Sequence, residues 1–202
     1  MPSLFAKSKL FDLIDKVEKG ERLDHDAAVR LMNSQDILAL GTMANIVRER
    51  KNGHQTFYCI NPTFKDTNVH HATMIYGNLV SREEQLDHLF RLRALQDKTG
   101  EFVSFSPRSS DTTDQPLDGT TDIGTTTGIE DLKAMAISRI LLDNFDHIKA
   151  SWNLLGLKLT QVSLAFGVDD LTGREVTRKA VIQVIQKAGR VAVERDGLGG
   201  SQ

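Results

Sequence analysis

A chain of 202 residues with 40% hydrophobic and 26% charged side chains is long enough for one good core and at most two small domains. Its 25 basic and 27 acidic residues leave a net charge of -2, which offers no electrostatic footprint to a phosphate backbone, so no nucleic acid is expected as a partner. No apolar run approaches the roughly 20 residues of a membrane span, and MPSLFAKSKLFDLIDK lacks the continuous apolar stretch and cleavage site of a secretory leader; no membrane and a cytoplasmic location are the expectations.

The first third predicts helices. Leu10, Ile14 and Val17 recur at helical spacing and Gly20 supplies a stop. Asp24 can cap a second helix whose apolar stripe is Ala27, Ala28, Leu31 and Met32. Ser34 then precedes DILALGTMANIVRER, where Ile37, Leu40, Ala44 and Val47 hold one face until Asn52-Gly53 ends the run. QTFYCI is the first strand candidate.

From His71 onward short apolar runs alternate with amphipathic helices, the pattern of βα units on a parallel sheet. HATMIYG reads as a strand. Ser81 and Glu84 form a capping box that opens a helix with Leu86, Leu89 and Phe90 inward and a stop at Gly100. EFVSF is the next strand, and RSSDTTDQPLDGTTDIGTTTG is a long polar loop. Thr127 and Glu130 make a second capping box, before Leu132, Ala136, Ile140 and Leu141. HIKASW reads as a strand and LKLTQVSLAF as a helix; Thr177 caps KAVIQVIQKA, which Gly189 closes before RVAVERD. The tail GLGGSQ is expected to be disordered.

These elements divide the chain into a helical segment (1–53), a βα region (54–195) and a tail (196–202). About four or five βα units are readable, whereas a closed eight-stranded barrel takes roughly 250 residues. The expected fold is α/β, a shortened or partial TIM-type (β/α) barrel with three helices packed across one end. The shortage is local. Only about ten residues separate QTFYCI from HATMIYG, and parallel neighbours need a crossover of a dozen or more, so these two strands are not expected to pair.

The segments LFDLIDKVEKGERLDHDAAVRLMNSQDILALGTMANIVRERKNG, NPT, ATMIYGN, REEQLDHLFRLRALQDKTGEF, TGIEDLKAMAISRILLDNFDHIKASWNLLGLKLTQVSLAFGVDDLTG and AGRVAVERD, in this order, resemble the aminofutalosine synthase family. The resemblance implies a radical S-adenosylmethionine (SAM) transferase of menaquinone biosynthesis, which adds the 5′-deoxyadenosyl group of SAM to a carboxyvinyl-oxybenzoate. The family's chemistry starts at a 4Fe-4S cluster, held by three cysteines in a C-x3-C-x2-C loop directly after an NPTN-like sequence. Here Asn61-Pro62-Thr63 is followed by FKDTNVHHATMIYGN, without a cysteine. The loop and several central strands are thus missing by comparison with the family, and a smaller gap lies between Gly173 and Thr177. Ser106-Pro107-Arg108-Ser109 also stands where the family has a phenylalanine-histidine-proline stretch. A cluster is not expected in this chain.

The remaining residues give a weaker chemical signal. Cys59 is the only cysteine, and alone in an apolar strand it reads as a small hydrophobe. His70 and His71, with Cys59 and His54, make a nominal zinc set, yet adjacent strand residues point to opposite faces; no metal site and no catalytic residue is assigned. Tyr76, Gly77 and Asn78 end a strand, where barrel enzymes place binding groups, and the resemblance turns that strand toward cofactor and substrate; the alternative is packing and a turn. Ser151 and Trp152 share the positional argument, the indole being able to stack on a ring. Asp169 and Asp170 suit ribose hydroxyls, although an Asp-Asp pair after a glycine is more often a turn and helix cap. No glycine pattern makes a phosphate loop.

Two functions follow. One is the family's transferase activity, impaired by loss of the cysteine loop. The other is a non-catalytic scaffold or nucleoside-binding module, taking a small molecule or nucleoside, whose exposed sheet edges favour a homo-oligomer.

Overall fold

The computed structural model describes residues 5–62, 70–78, 80–110 and 126–195. Three helices come first: α1 (Phe11–Lys19), α2 (His25–Asn33) and α3 (Ile37–Asn52). Then follow β1 (Gln55–Ile60), β2 (His70–Tyr76), α4 (Arg82–Thr99), β3 (Phe102–Ser109), α5 (Gly128–Leu141), β4 (His147–Ser151), α6 (Trp152–Ser163), β5 (Asp170–Gly173), α7 (Arg178–Lys187) and β6 (Val191–Glu194).

Helix starts follow side-chain chemistry. Asp24 accepts the Ala27 amide and Thr177 the Ala180 amide, each satisfying a donor that the helix leaves without an internal partner. Both capping boxes form, with Glu84 accepting from the Ser81 amide at 2.9 Å and Glu130 from the Thr127 amide at 2.7 Å. For α3 the cap is Asp36, which accepts the Ala39 amide, while Ser34 accepts the amide of Asp36 one turn earlier.

All pairings in the sheet are parallel, in the order β2-β3-β4-β5-β1-β6. In a sequential barrel the second strand lies beside the first. Here that edge of β1 is occupied by β6, and β2 lies at the opposite edge with three strands between. The short βα junction therefore does not join neighbours, as its length requires. The sheet stays open between β2 and β6, which makes the fold a partial (β/α) barrel. Residues 63–69 of the junction, residues 111–125 of the polar loop and the tail from 196 lie outside the described residues.

The helices cover one face. α4 packs on β2, α5 on β3 and β4, α6 on β4 and β5, and α7 on β1 and β6. Tyr58, Ala72, Met74, Phe105, Ile148, Ala150 and Leu171 supply the buried outer face of the sheet. Each side chain of leucine or phenylalanine size removed from water there stabilises the fold by about 1.5–3 kcal/mol. The N-terminal helices add a further layer, α3 along α5 and α2 against α4 and α5, and the end of α3 meets the loops that lead into β4 and β5, where Asn52 donates to the Asp146 carbonyl and to Asp169 Oδ2. Their apolar residues join the same continuous core.

Three elements differ from the sequence expectation. β5 is a sixth strand in place of the turn and helix cap read at Asp169 and Asp170; at four residues, with Asp170 and Thr172 on its inner positions, it shows no apolar alternation. β3 continues through Pro107 to Ser109, because β4 pairs only with Ser104 and Phe105, leaving β3 edge-like on that side while β2 follows it to the end. α6 starts at Trp152, two helical pieces being joined across Gly156, whose φ of 72° lies outside the helical region.

Candidate functional site

The strands alternate strictly between the two faces of the sheet, so residues next to the apolar outer set point inward. On β2 these are His71 and Thr73, on β3 Ser104, Ser106 and Arg108, on β4 Lys149 and Ser151, and on β5 Asp170 and Thr172. With Cys59 from β1 and Arg195 just beyond β6, they line a cavity of about 280 Å³. Most of the side chains that line it are polar, and the first turn of α6 adds Asn153 and Leu154 to its wall.

The charges in this cavity form an ordered set. Asp170 is 3% exposed and lies 3.6 Å from both Lys149 Nζ and Arg195 Nη1. Burial pushes its carboxyl above the usual value of 3.8, against the pull of the two cations. His71 Nδ1 lies 2.7 Å from Ser104 Oγ, and burial, with Lys149 nearby, lowers the imidazole below its usual 6.5.

Behind the cavity lies a buried ion pair. Asp169 accepts from Arg139, both side chains being fully buried, and also from the Ile148 amide at 2.8 Å, Asn52 Nδ2 at 2.7 Å and His147 Nδ1 at 2.7 Å. The carboxylate is thereby saturated, as a buried charge must be. The other ring nitrogen of His147 receives Arg195, whose guanidinium stacks 3.9 Å from the centre of the Phe57 ring. Asp169 and His147 thus hold Arg195 in place at the cavity wall.

The seven residues singled out in the sequence do not gather at one place. Ser151 and Asp170 come together in the cavity. Tyr76 is buried, donates to Asp131 Oδ1 at 2.6 Å and, with Gly77 and Asn78, lines a different groove beside Arg82 and Lys133. Gly77 has φ +113°, a conformation suited to glycine where β2 turns away. Trp152 is buried and its Nε1 donates to the Arg174 carbonyl, with Gly173 so close against the indole that a Cβ there would clash with the ring. Asp169 serves the ion pair.

Lys149, Arg195, Arg108 and His147 were not singled out from the sequence. The available signal was a lysine at the centre of HIKAS, where Ile148 and Ala150 flank it with the opposite parity. Of the nominal zinc set, Cys59 and His71 line the cavity, while His70 packs edge-on against Phe102. Among the described residues no three His, Cys, Asp or Glu side chains gather as a metal site requires.

Residues 98–192 match the family model described as the CofH/MqnC C-terminal region. The chain is 40% identical over 146 residues to an aminodeoxyfutalosine synthase of Thermus thermophilus, covering 63% of this chain and 39% of that enzyme. It is 43% identical over 104 residues to a 5-amino-6-(D-ribitylamino)uracil–L-tyrosine 4-hydroxyphenyl transferase of Methanoculleus marisnigri, covering 50% and 28%. The chain thus spans well under half the length of the curated relatives it matches. In fold it is similar to the FeFe-hydrogenase maturase HydG of Carboxydothermus hydrogenoformans, with TM-score 0.70 and 10% identity over 93% of this chain and 80% of that one. No helix among the described residues is long and apolar enough to cross a membrane.

Proposed function

Since residues 98–192 carry the CofH/MqnC C-terminal region and the chain is a relative of aminodeoxyfutalosine synthase, we propose that this protein is an internally shortened derivative of that radical SAM transferase which retains a small-molecule pocket and has lost the initiating chemistry. The carrying observation is the placement of β1. It sits between β5 and β6 with Asn61-Pro62 at its exit, where the family's cysteine loop would begin, and the sequence continues from there to the edge strand β2 without a cysteine.

The residues present do not fit a 4Fe-4S cluster of the family's kind. Cys59 is the only thiol in the sequence, and three thiolates are needed to leave one iron open for SAM. No reaction step through a cluster is derived for this chain. What remains is the inner-face cavity, with hydroxyls of Ser104, Ser106, Ser151 and Thr172 and the carboxyl of Asp170 positioned to hydrogen-bond a nucleoside or a similarly polar small molecule.

Two measurements test this reading. After anaerobic reconstitution with iron and sulfide under a strong reductant, SAM should give no 5′-deoxyadenosine above a protein-free blank; cluster-dependent turnover would refute the loss of chemistry. Thermal melts with adenosine or SAM should shift upward in a saturable way, since a ligand that binds only the native state stabilises it by mass action. A melt indifferent to both would remove the nucleoside pocket. The open edges at β2 and β6 support self-association, which light scattering on the eluted protein checks.

A further inference from the structure

The cavity is far more cationic than the chain as a whole. Arg108, Lys149, Arg174 and Arg195 line it against one carboxylate, Asp170, in a protein of net charge -2. Ion pairing accounts for only part of this charge, since Lys149 and Arg195 share the single carboxylate of Asp170. Among the described residues neither Arg108 nor Arg174 uses its guanidinium in a hydrogen bond or ion pair. Lys149 has Asp170 at 3.6 Å, beyond hydrogen-bonding distance. Arg195 is immobilised by His147 and Phe57, and its Nε is buried without a partner. Converging like charges repel one another and gain nothing for folding, while low-dielectric walls concentrate their field on the space between them.

We infer that the inner-face pocket recognises its small molecule through an anionic group, a phosphate or a carboxylate, gripped by Lys149, Arg108 and Arg174 with Arg195 as a fixed cationic wall. Asp170 gives the site polarity: the anionic end of the ligand faces the cations, and a hydroxyl or N–H group faces the single carboxylate. Ser151 and Thr172 lie on the same inner positions and supply further donors. The inference rests on the reading of this cavity as the ligand site and adds the chemical class of what enters it.

The test is a set of thermal melts and calorimetric titrations on the full chain at low ionic strength, with sulfate, inorganic phosphate and malonate as probes and potassium chloride at matched ionic strength as control. Phosphate and malonate distinguish the two sources of negative charge; sulfate keeps its charge across the working pH range. The expected result is saturable stabilisation by at least one probe beyond the chloride control. Arg108→Gln and Lys149→Met should each weaken that binding by about tenfold, the equivalent of one charge-assisted hydrogen bond. Arg108 is exposed and has no side-chain partner among the described residues, so its variant should melt as the parent does without probe. No stabilisation beyond chloride, or an unchanged response in both variants, overturns the inference. Adenosine in parallel separates the outcomes: a shift with adenosine and none with anions defeats the anion site alone, while silence toward both defeats the pocket itself.

Discussion

The outer face of the sheet carries Ala72, Met74, Phe105, Ile148, Ala150 and Leu171, whereas the inner face, one residue along on the same strands, carries Thr73, Ser104, Ser106, Lys149 and Asp170. Parallel sheets covered on both sides read as continuous apolar runs. This one reads as alternation, so its sequence prepares one face for helices and the other for a polar content. Stability should accordingly reside on the outer face and ligand chemistry on the inner.

The largest effect should come from emptying the outer face. Phe105 is fully buried against Phe145, and Phe105→Ala should cost about 3–5 kcal/mol, read as a drop in the denaturation midpoint. If the cost were below 1 kcal/mol, the two faces would not differ as argued. Breaking the buried pair behind the cavity should rank with it. Asp169→Ala leaves Arg139 charged and fully buried, a loss of roughly 3–5 kcal/mol, and also frees His147 and Arg195. A smaller loss, about 1 kcal/mol, is expected from Thr127→Ala, which opens the capping box of α5.

Two inner-face groups should give opposite pH slopes. The Asp170 carboxyl is raised in the folded state, so the fold binds its proton more tightly than the unfolded chain does. Stability therefore falls as pH rises from 3.8 through the folded value, and Asp170→Asn should remove that fall. His71 is lowered, so the unfolded chain binds its proton more readily. Stability is then lost as pH falls from 6.5 toward the folded value, and His71→Asn should flatten that limb. The groups facing Asp170 include Lys149 and His147 from β4, Asp169 beside it and Arg195 after β6, so each variant is read against the unaltered protein over the full pH series. The smallest effect should be Thr73→Ala on the exposed inner side of β2, within about 0.5 kcal/mol. A larger loss would mean that the inner face carries folding energy after all.

Local signals accounted for much of this. The capping boxes at Ser81 and Thr127, the apolar stripes of α1 and α2 and the stop at Gly100 each depend on residues a few positions apart, and such chemistry works wherever the segment lies in space. The junction of about ten residues could be recognised as too short for a crossover by counting alone. β5 was not legible, because a four-residue strand with polar inner positions has no periodicity to detect, and its strand state comes from being wedged between β4 and β1. The role of Asp169 was hidden for a related reason: its partners Arg139, His147 and Asn52 come from three other elements, up to 117 positions away.

By itself, then, the sequence determined the α/β class, the succession of helices and strands, the family likeness and the lack of a cysteine loop, because each is a matter of residue type and spacing along the chain. Tertiary structure alone decided that β6 takes the place beside β1, that β2 becomes an edge, and that four cations from distant segments face one carboxylate across a shared cavity. The physical reason is that strand neighbours and charge constellations are set by which segments are brought together, and strand pairing carries no local signature beyond the alternation that both faces share.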